Sequence, residues 1–479
     1  MIKTLRLLNF KAFKDTGVIE LKPITVLAGP NSGGKSSILQ SLLLLKQTFE
    51  REDPAIDLML HGRFLQLSGL DELTFGKPRL QHCKVGYQFT FETRIRADFV
   101  SQSLPNLVVS KGTDVLPVQS DIEFYFSYKE GEDGKRRVLL DSFDMLSKVQ
   151  NVKGPRLTIT FGNRRYEVKL KGKLVDVPEA FKGRKIVSYG GRNFLPRHLF
   201  LEPDAEEKVQ RSLGVPLDRI LRIPLARFEE EFEENLEYLG PLRQEPQRVY
   251  LHSGSPFAEI GQRGENSAQI LWLERDDPVW YTQGLSQKPR KLKLMDAVNT
   301  VFEGLGIQHP IDVSSEKSII YQILFGLTKA KRRKQVTIAD VGFGVSQLLP
   351  VVVMGLRSKK SALLMFEQPE IHLHPKLQGN LADFFLTLAL SGKRIVVETH
   401  SIQFINRLRR RIAEDPHDEL KNLVSILFVR PPHEGEGAII EPLQVDRYGV
   451  IENWPPDFLP EAADEAEAIF RAGLEKRKG

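Results

Sequence analysis

Gly29-Pro30-Asn31-Ser32-Gly33-Gly34-Lys35-Ser36 decides how this chain is read. The apolar run Ile24-Thr25-Val26-Leu27-Ala28 precedes it, and Ser37-Ile38-Leu39-Gln40-Ser41-Leu42-Leu43-Leu44-Leu45 follows with a helical pattern. Strand, glycine-rich turn and helix, in that order, make a P-loop. Glycine lets the backbone curl until its N–H groups converge on phosphate oxygens, and the helix start adds positive potential there. Lys35 is the expected contact to β- and γ-phosphates, and the Ser36 hydroxyl the expected Mg2+ ligand. Gly29, Pro30, Asn31, Ser32, Gly33, Gly34 and Ser37 complete the cradle. The expected ligands are ATP and Mg2+.

The rest of the composition narrows the class. The 479 residues suffice for roughly two to four domain-sized units. Hydrophobic residues make up 41% and charged residues 27%, the balance of an ordinary globular chain. The most apolar stretch, Leu348-Leu349-Pro350-Val351-Val352-Val353-Met354, is too short for a bilayer and is broken by proline, so no membrane partner is expected. The start, Met1-Ile2-Lys3-Thr4-Leu5, lacks the layout of a signal peptide. Cys83 is the single cysteine, which excludes internal disulfides and cysteine metal clusters and fits a cytoplasmic location. Net charge is +6, a mild bias. It is clustered in Lys331-Arg332-Arg333-Lys334 and in Arg407, Arg409, Arg410 and Arg411. These are either solvated faces or an edge that contacts the backbone of DNA or RNA without reading sequence.

Along the chain, residues 1–48 read as strands, the P-loop and its helix. From Val85 to about Val175 the alternation is that of β-strands, as in Tyr87–Arg94, Ile122–Tyr128 and Leu157–Phe161, with a hairpin turn at Glu130–Gly134. Residues 203–236 are charged and helical, and Tyr238–Arg243 is strand-like. Ala362–Phe366 and Ile395–Val397 are continuous apolar runs, as in parallel strands buried on both faces. Leu377–Leu390 between them has helical spacing, and Glu461–Arg477 reads as a terminal helix.

A P-loop protein needs a further acid for Mg2+ at the end of an apolar strand, and Glu367 stands there. Phe366-Glu367-Gln368-Pro369-Glu370-Ile371-His372-Leu373-His374-Pro375 resembles the Walker B and D-loop of ABC-type ATPases, most closely the bacterial overcoming-lysogenization-defect group. Val397-Glu398-Thr399-His400-Ser401 is similar to its switch-histidine motif, and Asp340–Gln347 stands where the signature motif should be. Tyr238–Arg243 and Trp454–Phe458 resemble a bacterial branch of these ATPases. The resemblance covers the first 50 residues and about the last 150. It implies an α/β fold: a P-loop ABC-type ATPase head with a β-rich insertion between Walker A and the signature and Walker B region. The expected units are residues 1–90, an insertion at 91–235, and 236–479. It further implies a homodimer or higher oligomer in which ATP on one P-loop is closed over by Gly342, Gly344 and Ser346 of another copy.

Two departures stand out. The family's catalytic glutamate is here Gln368, which cannot accept a proton but can orient water, as slow GTPases do. The usual signature serine falls on Gly342 or is displaced to Ser346. Glu370 and Glu398 are substitute bases by proximity in sequence, and His400 is the expected switch residue. His372 and His374 read as a metal pair or as part of the dimer-contact loop. Arg243 reads as a nucleotide contact or a salt-bridged surface residue. Lys11 reads as a phosphate contact or an exposed strand lysine, and Gln66 as a Q-loop candidate.

Three functions compete. One is an ATPase head acting on nucleic acid, as in repair, mobile-element control or phage defence, with a separate effector such as a nuclease. The second is an ATP-driven switch or scaffold for an effector, without nucleic-acid contact. The third, a transport motor, fits worst, since about 330 residues separate Lys35 from Glu367. Fewer than 80 residues follow His400, too few for the group's C-terminal nuclease module.

Overall fold

Short apolar runs with no polar face fold as strands covered on both sides. Ile24–Ala28, Leu363–Glu367 and Arg394–Glu398 do so at the centre of a six-stranded sheet. Its order is Leu236–Leu239, Leu363–Glu367, Arg394–Glu398, Ile24–Ala28, Val424–Arg430, Ile439–Leu443. The first five strands are parallel and the last pairs antiparallel with its neighbour. Register aligns Glu367 with Glu398, and Glu398 with Leu27. Parallel strands end on one side, so the P-loop, Glu367 and Glu398 emerge at a common edge. The computed structural model describes residues 1–51, 57–76, 78–79, 82–104, 107, 109–110, 112–130, 136–150, 152–162, 165–171, 186–201, 213–251, 259–285, 288–307, 309–316, 320–326, 335–341, 343–432 and 436–455. The Lys331–Lys334 cluster, Gly342, residues 131–134 of the expected hairpin turn, residues 456–458 and the expected helix Glu461–Arg477 lie outside them.

Alternate residues of the continuous apolar strands feed two separate cores. Val26, Leu364, Phe366, Ile395 and Val397 pack with the helices Phe343–Arg357, Pro375–Leu390 and Ile402–Glu414. Leu27, Leu363, Met365 and Val396 face the P-loop helix Lys35–Phe49 and the helix Arg219–Glu233. The latter begins at Asp218, whose carboxylate accepts the Ile220 N–H at 2.8 Å and caps the helix.

An eight-stranded antiparallel sheet covers the second core. It runs from Phe13–Asp15 through Ile2–Phe10, Lys84–Arg96, Val115–Glu130, Arg136–Val149 and Val152–Gly162 to Arg165–Lys171, with Ile19–Glu20 also on Ile2–Phe10. Lys84–Arg96 pairs with Ile2–Phe10 on one edge and with Val115–Glu130 on the other, so one ladder joins the N-terminal strands to the β-rich region. Between this sheet and the P-loop helix lies a layer of aromatic rings. Phe228 meets Phe49, Phe89 and Phe91 edge to face, with centroids 6.3, 5.1 and 5.6 Å away. Arg394, at the start of its central strand, forms a buried ion pair with Glu231. Smaller elements include the hairpin Pro278–Tyr281 with Arg290–Lys293.

Phe228 is fully buried where the insertion, its helix and the P-loop helix meet. Phe228→Ala is expected to cost about 3–5 kcal/mol, the usual loss for a core Phe. Denaturant unfolding followed by tryptophan fluorescence checks this; an unchanged midpoint would show that the aromatic layer contributes no stability.

Candidate nucleotide site

The strand Ile24–Ala28 delivers the chain to Gly29, at φ 133° and against the neighbouring strand; a Cβ there would sit 2.4 Å from the Val429 carbonyl oxygen. Gly34, at φ 105°, is equally constrained, since a Cβ would lie 2.9 Å from that of Ala12. Both are places where only glycine fits the required backbone. The loop therefore curls tightly into the helix that begins at Lys35. Lys35 is 3% exposed, and its Nζ donates to the carbonyls of Gly29 at 3.0 Å and Pro30 at 2.6 Å. Burial pulls its pKa down, opposed by the charge of Glu398.

The Ser36 hydroxyl lies 3.1 and 2.9 Å from the two carboxylate oxygens of Glu398. Glu367, in register on the adjacent strand, accepts the Tyr238 hydroxyl at 3.0 Å. Burial, with the charge of Glu398 second, pushes the Glu367 carboxyl up to about 7. Glu398 is also raised by burial, against the stabilising hydrogen bond from Ser36. Two acids thus end adjacent strands, one of them hydrogen-bonded to the Ser36 hydroxyl. Glu398 entered the sequence reading only as a substitute base. The signal for its place beside Ser36 is its position at the end of an apolar run as continuous as that before Glu367.

Gln368 follows in left-handed backbone conformation, φ 42°. Its N–H donates to the Glu398 carbonyl at 2.7 Å, and its own carbonyl accepts Arg243 Nη1 and Nη2 at 3.3 Å each. Arg243 Nη2 also reaches the Glu367 carbonyl at 3.2 Å. Arg243 is 3% exposed, so it is no surface residue. It clamps the turn backbone, and burial lowers its pKa to about 10. Neither that clamp nor Tyr238 was legible as such in the sequence.

Glu370 is buried; one oxygen accepts the Thr399 hydroxyl at 2.7 Å and the His400 N–H at 2.8 Å. Its other oxygen has no hydrogen-bond partner among the described residues. Burial raises its pKa. His400 Nε2 is also buried and unpartnered among the described residues. Burial, then the nearby charge of Lys35, lowers its pKa, which favours the neutral ring. Ser401 caps the next helix by accepting the Phe404 N–H at 3.0 Å.

The signature-like helix starts at Phe343. A Cβ on Gly344 would lie 2.6 Å from the His372 carbonyl oxygen, so this helix start abuts the loop after Glu370 within one chain. Ser346 is buried. His372 takes φ 64°. His374 Nδ1 accepts the Lys376 N–H at 3.3 Å and caps the helix Pro375–Leu390. Lys11 sits at φ 48° and donates to Gln40 of the P-loop helix at 2.6 Å. Gln66 is exposed and bridges His61. The 407–411 arginines are engaged locally. Arg407 and Arg411 pair with Asp383 at 2.6 and 2.7 Å. Arg410 pairs with Glu414 at 2.7 Å. Arg409 donates to the Gly449 carbonyl at 2.8 Å. Among the described residues no helix is long and apolar enough to cross a membrane.

A P-loop on a parallel sheet, with acids ending the neighbouring strands, is the frame of a nucleoside-triphosphatase. Residues 1–180 and 283–405 match the family model of the AAA ATPase domain. The chain belongs to this family. The mixed α/β head of this ATPase, as expected, carries further sheets beside the central one. No curated protein matches it. Among solved structures it is similar to the SmcHead bound to the C-winged helix domain of ScpA, at 12% identity over 93% of this chain and 98% of that one, TM-score 0.42. It is also similar to the SMC head domain from Thermotoga maritima, at 11% identity over 93% and 99%, TM-score 0.36. The Smc head domain with an extended coiled coil, bound to the C-terminal domain of ScpA derived from Pyrococcus furiosus, matches at 12% over 98% and 99%, TM-score 0.38.

The oxygen donors Ser36, Glu367 and Glu398 suit a hard divalent cation such as Mg2+. Without one, the raised Glu367 carboxyl makes the folded protein hold a proton that the unfolded chain releases at lower pH. Stability from this group therefore falls as pH rises from the unfolded value of 4.5 toward about 7. In chelator, wild type should lose more thermal stability between acidic and mildly alkaline buffer than Glu367→Gln, which mimics the protonated acid. Equal pH slopes in the two would show that Glu367 is ionised throughout.

Proposed function

We propose that this ATPase binds ATP·Mg2+ between its P-loop and two strand-end glutamates, closes over it as a dimer, and hydrolyses it slowly, so that the closed state can hold a separate effector. One observation carries the reading: Ser36 hydrogen-bonded to Glu398, with Glu367 in register beside it and Lys35 one residue away. Bound Mg2+ would supply neutralisation of phosphate charge, held by Ser36 and Glu367, with Glu398 released from Ser36 to accept from its ligands. Lys35 would exchange two neutral carbonyls for anionic phosphate oxygens, a stronger class of acceptor. Backbone N–H groups from Gly29 to Ser37 would cradle the phosphates. Lys11, already beside Gln40, would extend toward them.

The chemical step is where this site departs from a fast motor. Gln368 can orient water but cannot take its proton. Glu370 keeps one oxygen unpartnered among the described residues, but the other is tied to Thr399 and to the backbone of His400. Neutral His400 is suited to sense the γ-phosphate. In the dimer, the helix start around Gly344 of one copy would face the nucleotide of the other, giving two equivalent sites.

The resemblance of residues 366–375 and 397–401 to the overcoming-lysogenization-defect group supports a setting in phage defence or DNA transactions, with an effector such as a nuclease. A second reading, a switch or scaffold with no nucleic-acid contact, is favoured by the arginines of Ile402–Glu414. Arg407, Arg410 and Arg411 share the carboxylates of Asp383 and Glu414, so this helix presents less free charge to a phosphate backbone than its sequence suggests.

Single-turnover hydrolysis with parallel sedimentation tests the proposal. Wild type should be slow and remain dimeric with ATP. Gln368→Glu should raise turnover by about 10²-fold, the low end of general-base effects, and shorten the dimer's life. Lys35→Ala should abolish both. Fast wild-type hydrolysis that Glu370→Gln abolishes would instead place the base at Glu370 and end the slow-switch reading.

A further inference from the structure

At the opposite end of the six-stranded sheet, where Leu363–Glu367 and Arg394–Glu398 begin, lies a cleft of about 900 Å³. Its walls are the end of the helix Phe343–Arg357 with Ser358–Lys360, the turn Leu390–Lys393, and the hairpin side containing Trp280, Lys288 and Pro289. Five cations line it, Lys288, Arg357, Lys359, Lys360 and Lys393, and no carboxylate does among the described residues.

Three of these have structural work. Arg357 pairs with Glu274 at 2.7 Å, and Lys359 with Glu234 at 3.0 Å. Lys393, 4% exposed, donates to the terminal helix carbonyls of Gly355 at 2.5 Å and Leu356 at 2.9 Å. Lys288 and Lys360 have no ion pair among the described residues, and the exposed Lys291 is in the same position. Trp280 is 59% exposed. Strand alternation turns Val279 and Tyr281 inward and Pro278 and Trp280 outward, and register sets Trp280 opposite Lys291. Residues directly opposite share a face, so an open indole and an ammonium with no ion pair among the described residues stand together on the hairpin. The charge continues beyond the cleft through Arg290 and Lys291, both exposed.

We propose that this cleft and hairpin bind single-stranded nucleic acid, with a base stacked on Trp280 and neighbouring phosphates on Lys288, Lys291 and Lys360. An aromatic platform set in an electropositive groove is how sequence-tolerant strand binding works: the ring takes any base, the cations track the backbone. A charge track continuing outside the cleft suits a strand better than a free mononucleotide. A flat exposed ring among lysines suits a base better than an acidic peptide. This site lies at the far end of the central strands from the P-loop and uses none of the residues placed in hydrolysis.

Fluorescence anisotropy of a labelled oligothymidylate of about 16 nucleotides, with the full chain and with or without ATP, tests it. Binding should appear at about 50 mM salt and fall steeply by about 200 mM. Trp280→Ala should weaken it at least about fivefold, the low end for one base–aromatic stack. Lys288→Glu with Lys360→Glu should weaken it and flatten the salt dependence. Arg410→Glu, on the internally paired helix, should leave it unchanged. Retained ATP binding in each variant controls for folding. The proposal is overturned by no binding at low salt, by binding indifferent to the Trp280 and lysine changes, or by equally tight binding of thymidine monophosphate or an oligoglutamate peptide at this cleft.

Discussion

The nucleotide site depends on one constraint: parallel strands in fixed register must end together. With Glu367 opposite Glu398 and Glu398 opposite Leu27, two carboxylates are carried to the edge where the P-loop begins. Ionised together they would repel in a poorly solvated place. Their neighbours answer that cost. Ser36 donates to Glu398, Tyr238 donates to Glu367, and Lys35 supplies charge near Glu398. Arg243 gives its hydrogen bonds to the backbone of the same turn, which fixes Gln368 in a conformation that an unsupported glutamine would rarely take. Without a nucleotide, the site is short of positive charge. On the proposed reading, ATP·Mg2+ would bring a cation to the acids and anions to the lysine, relieving both imbalances.

The P-loop helix ties the site to the β-rich region. The P-loop helix begins at Lys35 and ends at Phe49, whose ring lies against Phe194, Phe228 and Phe232. Lys46 on that helix is buried, pairing with Glu50 at 2.8 Å and Glu259 at 3.1 Å. A helix that starts at the P-loop and packs along its length against the insertion is a rigid element shared by both. Any rotation of it on nucleotide binding must repack the aromatic layer, because close-packed rings have few alternative arrangements.

Local signals carried much of this into the sequence. The P-loop strand and helix, the buried runs before Glu367 and Glu398, and the helix Pro375–Leu390 follow from periodicity and length alone. What was missed is mostly long-range. Arg407 and Arg411 read as open charge because Asp383 lies about two dozen residues earlier, on a neighbouring helix. Arg243 read as a surface candidate because its acceptors are backbone carbonyls, which carry no residue identity. The pairing of Lys84–Arg96 with Ile2–Phe10 could not be read either, since alternation identifies a strand but not its neighbour.

The two ends of the central sheet have opposite electrostatic characters, and helix direction explains part of that. Helices Lys35–Phe49, Phe343–Arg357 and Pro375–Leu390 start near the nucleotide edge, and the last two end at the basic cleft. Helix C-termini favour cations, so Lys393 on the carbonyls of Gly355 and Leu356 is accounted for by the fold. Arg357 and Lys359 are accounted for by their acids. Dipole and pairing do not require Lys288, Lys291 or an indole open to solvent, and a hairpin could turn with polar residues in their place. The charge left after the structural needs are met lies on Lys360 and on the hairpin that carries that ring, which is why the cleft, rather than the arginine helix, is the part of this surface equipped to meet a nucleic-acid strand.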